Sequence, residues 1–347
     1  MDAMGDAEVL RAGARPLILL ATTLNFLIIR ALAPRPMRLA ELRRATGLPA
    51  QTTLRGHLSC LGALGIVAKR PANEMPYAVE NELTPVGREL LRVAESLEVW
   101  LNRAPDGPLS LQTGSGKGVI KAFVDGWGST ILGTLARRPM SLTELDSVIP
   151  ALSYPALERR LSSMRMAGLV EAVPAEGSGT PNAVTDWARQ GVVPLAAAGH
   201  CEQVRMRPLA APLTKADIEA GFMLSVPLVG LPQEAAGRCH LTVEGGDPAK
   251  GRDRCGVEVV VEGGQVVACA ADLASEPGQY ASGSAATWFS AVRDARVELL
   301  SYAGGKLPMQ LVRGLHDALL EPGGGEAGQP AAVSRAAASP TNGTSSS

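Results

Sequence analysis

The chain has 347 residues, enough for two or three domains that each bury a core. Its content of 46% hydrophobic, 19% charged and only 3% aromatic residues suits small-residue-rich helices and argues against a surface that stacks sugars or bases on rings. The net charge of −1 hides a gradient: residues 1–105 carry 13 basic and 10 acidic groups, 106–212 carry 10 and 9, and 213–347 carry 10 and 15, the polarity expected if the N-terminal end meets phosphate.

Arg11 and Arg15 precede an apolar run from Leu17 to Ile29, and Ala31-Leu32-Ala33 has the small-residue pattern of a cleavage site. Asn25 and Arg30 interrupt that run, and Leu20, Leu24 and Leu27 recur at i, i+4, i+7, so the spacing predicts an amphipathic helix over 16–32 and not an export signal. No other stretch approaches the ~20 apolar residues of a membrane span. The five cysteines (Cys60, Cys201, Cys239, Cys255, Cys269) are odd in number and contain no C-x-x-C pair, which fits a reducing, cytoplasmic setting without disulfides or structural zinc.

A short helix is predicted from Leu39 to Ala45, ending at Gly47, then a third over about 50–64 whose Leu54, Leu58, Leu61 and Leu64 make one apolar stripe, closed by Gly65. Strands around 66–70 and 77–83 flank a Pro-Ala-Asn-Glu-Met-Pro hairpin, and Thr84-Pro85 opens another helix. This order is that of a winged helix-turn-helix. Residues 104–118 are rich in Gly, Pro and Ser and read as a linker.

The order then recurs: a helix over 119–137, a short one over 142–148, and a third capped by Ser153 that buries Leu157, Leu161 and Met164 before Gly168. Strands follow near 169–173 and 183–184, and a helix opens at Thr185. Pro36-Met37-Arg38-Leu39-Ala40-Glu41-Leu42 and Pro139-Met140-Ser141-Leu142-Thr143-Glu144-Leu145 share P-M-x-L-x-E-L at a spacing of 103 residues, the mark of a duplication. A second break at 207–213 leads to a helix over 215–229, strands at 240–244, 256–261 and 265–269 with a Gly263-Gly264 hairpin, and helices over 285–293 and 307–320. The expected fold is mainly α with α+β. Its parts are one winged helix over 1–105, a linker at 106–118, a second winged helix over 119–206, an α+β domain over 213–321, and a disordered Gly/Ala/Ser/Pro tail over 322–347.

In a helix-turn-helix the third helix enters the major groove with its outward side chains. Opposite the first leucine stripe lie Gln51, Thr52, Arg55 and Ser59, a set that includes a bidentate reader of guanine. Arg43 and Arg44 on the short helix and Lys69 and Arg70 at the wing base are placed to hold phosphates. The alternative is that these are solvated charges on a protein-interaction module. In the second unit Tyr154, Glu158, Arg159 and Ser162 occupy the same face, and Glu158 has the wrong sign unless it accepts from a cytosine amino group. The wing at Ala175–Pro181 has no basic residue, so DNA contact there rests on Arg137, Arg138, Arg159 and Arg165, against a role as packing partner.

No catalytic set emerges: His57, His200, His240 and His316 are scattered, without nucleophile, base or metal-ligand spacing, and neither an enzyme nor a cofactor is expected. Gly114-Ser115-Gly116-Lys117-Gly118 lacks the spacing of a phosphate loop and reads as flexible linker. In the third domain Phe222, Met223, Leu224, Val226, Leu228, Val229 and Leu231, with Trp288, Phe289, Leu311, Val312 and Leu315, make either a core or a pocket for a small hydrophobic ligand.

The first unit resembles the HxlR family of winged-helix regulators, through Ile28–Leu32, the Pro36–Leu42 motif, the leucine run from Leu54 to Leu61 with Gly65-Ile66, and Glu82-Leu83-Thr84-Pro85-Val86-Gly87. Gly126-Trp127 through Leu135, Ser153–Leu157 and Gly168–Glu171 resemble a second copy. Residues from Leu213 to Leu320 are similar to sterol-carrier-protein-like domains. The resemblance implies a DNA-binding regulator of double-stranded DNA that pairs through terminal helices, so that residues 14–32 and 85–103 make either a homodimer or an intramolecular pseudo-dimer between the repeats. The first recognition helix departs by one extra residue between Gly47 and Leu54, and no cysteine precedes Cys60, so thiol sensing is not implied. The second hypothesis is a ligand carrier or accessory protein whose winged helices bind proteins.

Overall fold

The computed structural model describes residues 12–71, 79–174, 180–206, 213–244, 254–271 and 278–320. The first hairpin tip, most of the second wing, the 207–212 break and the C-terminal tail lie outside the described residues. Helices α1 (Ala14–Ala21) and α2 (Thr23–Leu32) replace the single helix expected over 16–32, and they meet at a 91° bend. Thr22 sits in extended geometry between them. The bend changes the buried stripe as well: α2 buries Phe26, Ile28, Ile29 and Leu32, while Leu24 and Leu27 are only half-buried.

The rest of the first unit is β1 (Met37–Arg38), α3 (Leu39–Ala45), α4 (Gln51–Ala63), β2 (Val67–Pro71), β3 (Val79–Leu83) and α5 (Pro85–Leu101). Its antiparallel sheet has the order β1-β3-β2, so a short strand before α3, not expected from the sequence, joins the hairpin. Thr84 caps α5 by accepting from the Gly87 amide, and Pro85 at the first turn gives up no needed donor.

The second unit comprises α6 (Gly114–Val124), α7 (Gly126–Leu135), α8 (Leu142–Val148), α9 (Tyr154–Met166), β4 (Val170–Ala172), β5 (Asn182–Val184), α10 (Asp186–Gln190) and α11 (Val192–Arg205). Helix α6 begins inside the stretch expected to be linker. The Thr113 hydroxyl caps it by accepting from the Gly116 amide, and Leu111 before it is fully buried. A Cβ on Gly116 would strike the Ser110 carbonyl, so this glycine serves close approach and not flexibility. Ser153 holds the N-cap position of α9 but makes no side-chain capping bond.

The two units pack through matching helices: α1 lies against α6, and both α1 and α5 lie against α11. At the centre Trp100 of α5 and Trp187 of α10 stack with centroids 4.7 Å apart, and each indole Nε1 donates to the other residue's carbonyl, at 2.7 and 2.9 Å. At the far end Gly13, with φ of 86°, presses against the backbone of Leu195 and Gly199, and its amide donates to the buried Glu202 carboxylate at 2.6 Å. That carboxylate faces the N-terminus of α1, where the helix dipole favours negative charge. Parts of α1 and α5 are in this way packed against the second unit of the same chain.

The third unit holds α12 (Lys215–Ser225), β6 (Gly237–Glu244), β7 (Arg254–Glu262), β8 (Gln265–Ala270), β9 (Tyr280–Gly283), α13 (Ala285–Arg293), β10 (Ser301–Ala303) and α14 (Leu307–Leu320). Helix α12 gives way to a tighter turn at Val226–Leu228, where Pro227 lacks the amide that an α-helix to 229 would need. The sheet order is β10-β9-β6-β7-β8, antiparallel except for the β6/β9 pair. Gly263 and Gly264, both at positive φ, make the expected two-residue hairpin between β7 and β8.

Candidate nucleic-acid interface

Helix α4 buries Leu54, Leu58 and Leu61 and turns Gln51, Thr52, Arg55 and Ser59 to solvent. Three leucines inside contribute about 1.5–3 kcal/mol each, which fixes which face is left outside. The turn before α4 is rigid: Gly47 has φ of 83°, Leu48 is held at φ 58°, and the Leu48 amide donates to the Arg43 carbonyl at 2.8 Å. From behind, His57 of α4 meets the Asn25 Oδ1 of α2 at 2.7 Å, and Asn25 in turn donates to the Leu19 carbonyl. A recognition helix held at its start, its buried stripe and its back presents its outer side chains in one fixed array.

Arg43 and Arg44 are exposed beside that array; the Arg43 Nε donates to the Pro49 carbonyl at 2.8 Å, and the Arg44 Nε to that of Ala40. At the wing base the two cations have different surroundings. Arg70 is held by Glu80 at 3.1 Å and Glu82 at 3.7 Å across the β2/β3 ladder, so two carboxylates oppose its charge before any phosphate arrives. Lys69 points the other way along the pleat and is exposed. Lys69→Ala is therefore expected to lower the slope of log affinity against log salt by about 1, while Arg70→Ala leaves it nearly unchanged; salt titrations of both variants check this.

The second unit repeats several of the first unit's bonds at matching positions. The Glu41 carboxylate accepts from the Arg38 amide at 2.9 Å and pairs with Arg35, and Glu144 accepts from the Ser141 amide at 2.8 Å and pairs with Arg138. These bonds hold the Glu144 carboxyl down at about 2, with the Ser141 amide as the main cause. Asn81 donates to the Met37 carbonyl, and Asn182 to that of Met140. The Thr84 hydroxyl reaches the Gly65 and Ile66 carbonyls, and Thr185 those of Gly168 and Leu169. Gly65 and Gly168 close their helices at φ of 69° and 71°.

Helix α9 buries Leu157, Leu161 and Met164 and exposes Tyr154, Glu158, Arg159 and Ser162. It too is pinned from behind, but by an ion pair: Arg160, at the place of His57, meets Asp125 at 3.2 Å. Arg165 is committed to Asn182, and Arg138 to Glu144. Of the cations named for this unit, Arg137 and Arg159 are exposed and have no ion pair among the described residues.

A second feature lies where all three units meet. An apolar cleft of about 870 Å³ is walled by α5, α7 and α11 on one side and by α12, α13 and the end of α14 on the other. The undivided apolar set of the third domain separates here: Phe222, Met223, Leu224, Trp288, Phe289 and Leu315 line the cleft, while Val226, Val229, Leu311 and Val312 are core. His200 stacks on Phe289 at 4.1 Å, and burial together with Arg293 lowers its pKa, which keeps the imidazole neutral at pH 7. Arg293 bridges the units, meeting the buried Glu89 of α5 at 3.4 Å. The remaining histidines have local partners: His240 faces Glu258, and His316 Nδ1 approaches the Val292 carbonyl at 2.6 Å. Burial pushes the Cys201, Cys239 and Cys269 thiols up to about 12, which makes them poor nucleophiles.

An exposed, rigidly seated third helix followed by a wing is the arrangement of a winged helix-turn-helix. Residues 19–106 match the family of HxlR-like helix-turn-helix proteins. That match covers the first unit, and no curated protein matches the chain.

Proposed function

We propose that the chain is a sequence-specific, DNA-binding transcriptional regulator whose two winged helices are paired within one chain, the intramolecular alternative to a homodimer. The observation that carries this reading is the outward face of α4, with Gln51, Thr52, Arg55 and Ser59 exposed over a buried leucine stripe, inside the segment that matches HxlR-like helix-turn-helix proteins. Packing of α1 on α6 and α5 on α11 supports the internal pairing. Fluorescence anisotropy with duplexes from upstream of the gene, at two salt concentrations and against a scrambled competitor, tests the reading. Tight, competitor-resistant binding that weakens with salt supports it, and light scattering should return the mass of one chain.

The carrier or accessory reading draws on the acidic third unit and on exposed Glu158 in α9. It requires that DNA affinity be absent even at low salt.

A small hydrophobic ligand belongs to the proposal, seated in the cleft between the units and not within the third domain alone. Its volume is within the roughly 300–1,000 Å³ of small-molecule pockets, and its walls come from both sides of the junction, so an occupant that prefers one spacing of the units would shift the DNA-binding pair. Nile red, a neutral polycyclic dye, is expected to bind saturably at one site per chain with a rise in fluorescence. Ala216→Trp, placed where the cleft opens to solvent, should remove that rise while leaving the melting temperature within a few degrees of wild type.

A further inference from the structure

We infer that the DNA sequence this protein selects is asymmetric, with two unlike half-sites, one presenting a guanine to Arg55 and the other a cytosine amino group to Glu158. The inference rests on the DNA-binding reading and deepens it. Its basis is a residue-by-residue equivalence between the two units. Helices α3 and α8, α4 and α9, and the closing glycines Gly65 and Gly168 are all related by a spacing of 103 residues. After the hairpin the spacing is 101, as the pairs Asn81/Asn182 and Thr84/Thr185 show, so the two-residue difference falls in the wing and leaves the recognition helices in register.

That register pairs each reader with its counterpart. Leu54, Leu58 and Leu61 match Leu157, Leu161 and Met164, all buried, so the inner faces are equivalent. The outer faces are not. Gln51 corresponds to Tyr154, Thr52 to Pro155, Arg55 to Glu158 and Ser59 to Ser162, and every one of these eight residues is exposed. Only the serine pair is conserved in type. At the central position the charge reverses. A guanidinium donates to guanine O6 and N7, whereas a carboxylate has no donor for guanine and accepts from cytosine N4. Tyr154 offers an apolar ring to a thymine methyl where Gln51 offers a bidentate amide to adenine. The two helices cannot prefer the same bases.

A symmetric dimer reads a two-fold operator because its halves are identical. Here the halves belong to one chain and that constraint is absent.

The test is selection by the full chain from a duplex pool randomised over about 20 base pairs, two turns of DNA, followed by the same selection with Glu158→Arg. Wild type is expected to enrich two different half-sites about one turn apart. Glu158→Arg should move the second half-site towards the first and prefer an inverted repeat over the wild-type sequence by about 10-fold or more, the discrimination of one bidentate contact. Glu158→Gln, nearly isosteric, keeps the test decisive if the charge reversal does not fold: it should lose the cytosine preference at that position and leave the Arg55 half-site intact. An inverted repeat selected by wild type, or an unchanged second half-site in both variants, would overturn the inference while leaving the regulator reading in place. Failure to enrich any sequence would instead remove sequence-specific binding itself, and the inference with it.

Discussion

Trp187→Ala should destabilise the protein by about 3–5 kcal/mol, the range for removing a large buried aromatic side chain. The indole stacks on Trp100, lies where a Cβ on Gly168 would touch it, and donates to the Trp100 carbonyl at 2.9 Å. Its loss therefore opens a cavity and removes one donor from the Trp100 carbonyl, which keeps the Arg103 amide. Trp187→Phe keeps an aromatic ring in the stack while the Trp100 carbonyl keeps the Arg103 amide, so the lost hydrogen bond should cost about 0.5–1.5 kcal/mol. Urea denaturation followed by circular dichroism separates the two variants. A Trp187→Ala protein as stable as wild type would mean that the helices around this stack do not join the winged-helix units.

The second large effect is expected at Arg55. Its alanine variant should lose about 1–3 kcal/mol of affinity for the preferred duplex, roughly 5- to 150-fold, with preference relaxed at one base pair. The slope against salt should hardly move, because a base contact displaces no phosphate counterion. That separates it from Lys69, whose expected signature is the reverse. An Arg55→Ala protein that binds the preferred and scrambled duplexes as wild type does would remove α4 as the reading element.

The likeness of the two units was legible because the P-M-x-L-x-E-L motif is structural: its glutamate caps the short helix, and its methionine carbonyl accepts from an asparagine of the following hairpin. The outward residues of α4 and α9 were equally legible, since the leucine period fixes the opposite face. What escaped was set at a distance. The α1/α2 bend answers to packing on α6 and α11, and the helical start at Gly114 answers to backbone approach at Ser110, where glycine composition reads as flexibility. The His57–Asn25 and Arg160–Asp125 anchors do the same job with different chemistry, so no motif links them. Strands β9 and β10 are three or four residues long and pair non-locally. Two carboxylates on the neighbouring strand pair with Arg70, which a run of basic residues does not reveal.

The proposed pairing of two winged helices in one chain also carries a consequence for how the protein responds to its own abundance. A regulator assembled from two separate copies loses its paired form on dilution, and its occupancy rises more steeply than its copy number. Here the partner of α5 is α11 of the same molecule, at an effective concentration fixed by the chain and independent of how many chains are present. Occupancy of a site should then follow copy number in simple proportion until saturation, so dosage alone makes a gradual control and not a threshold.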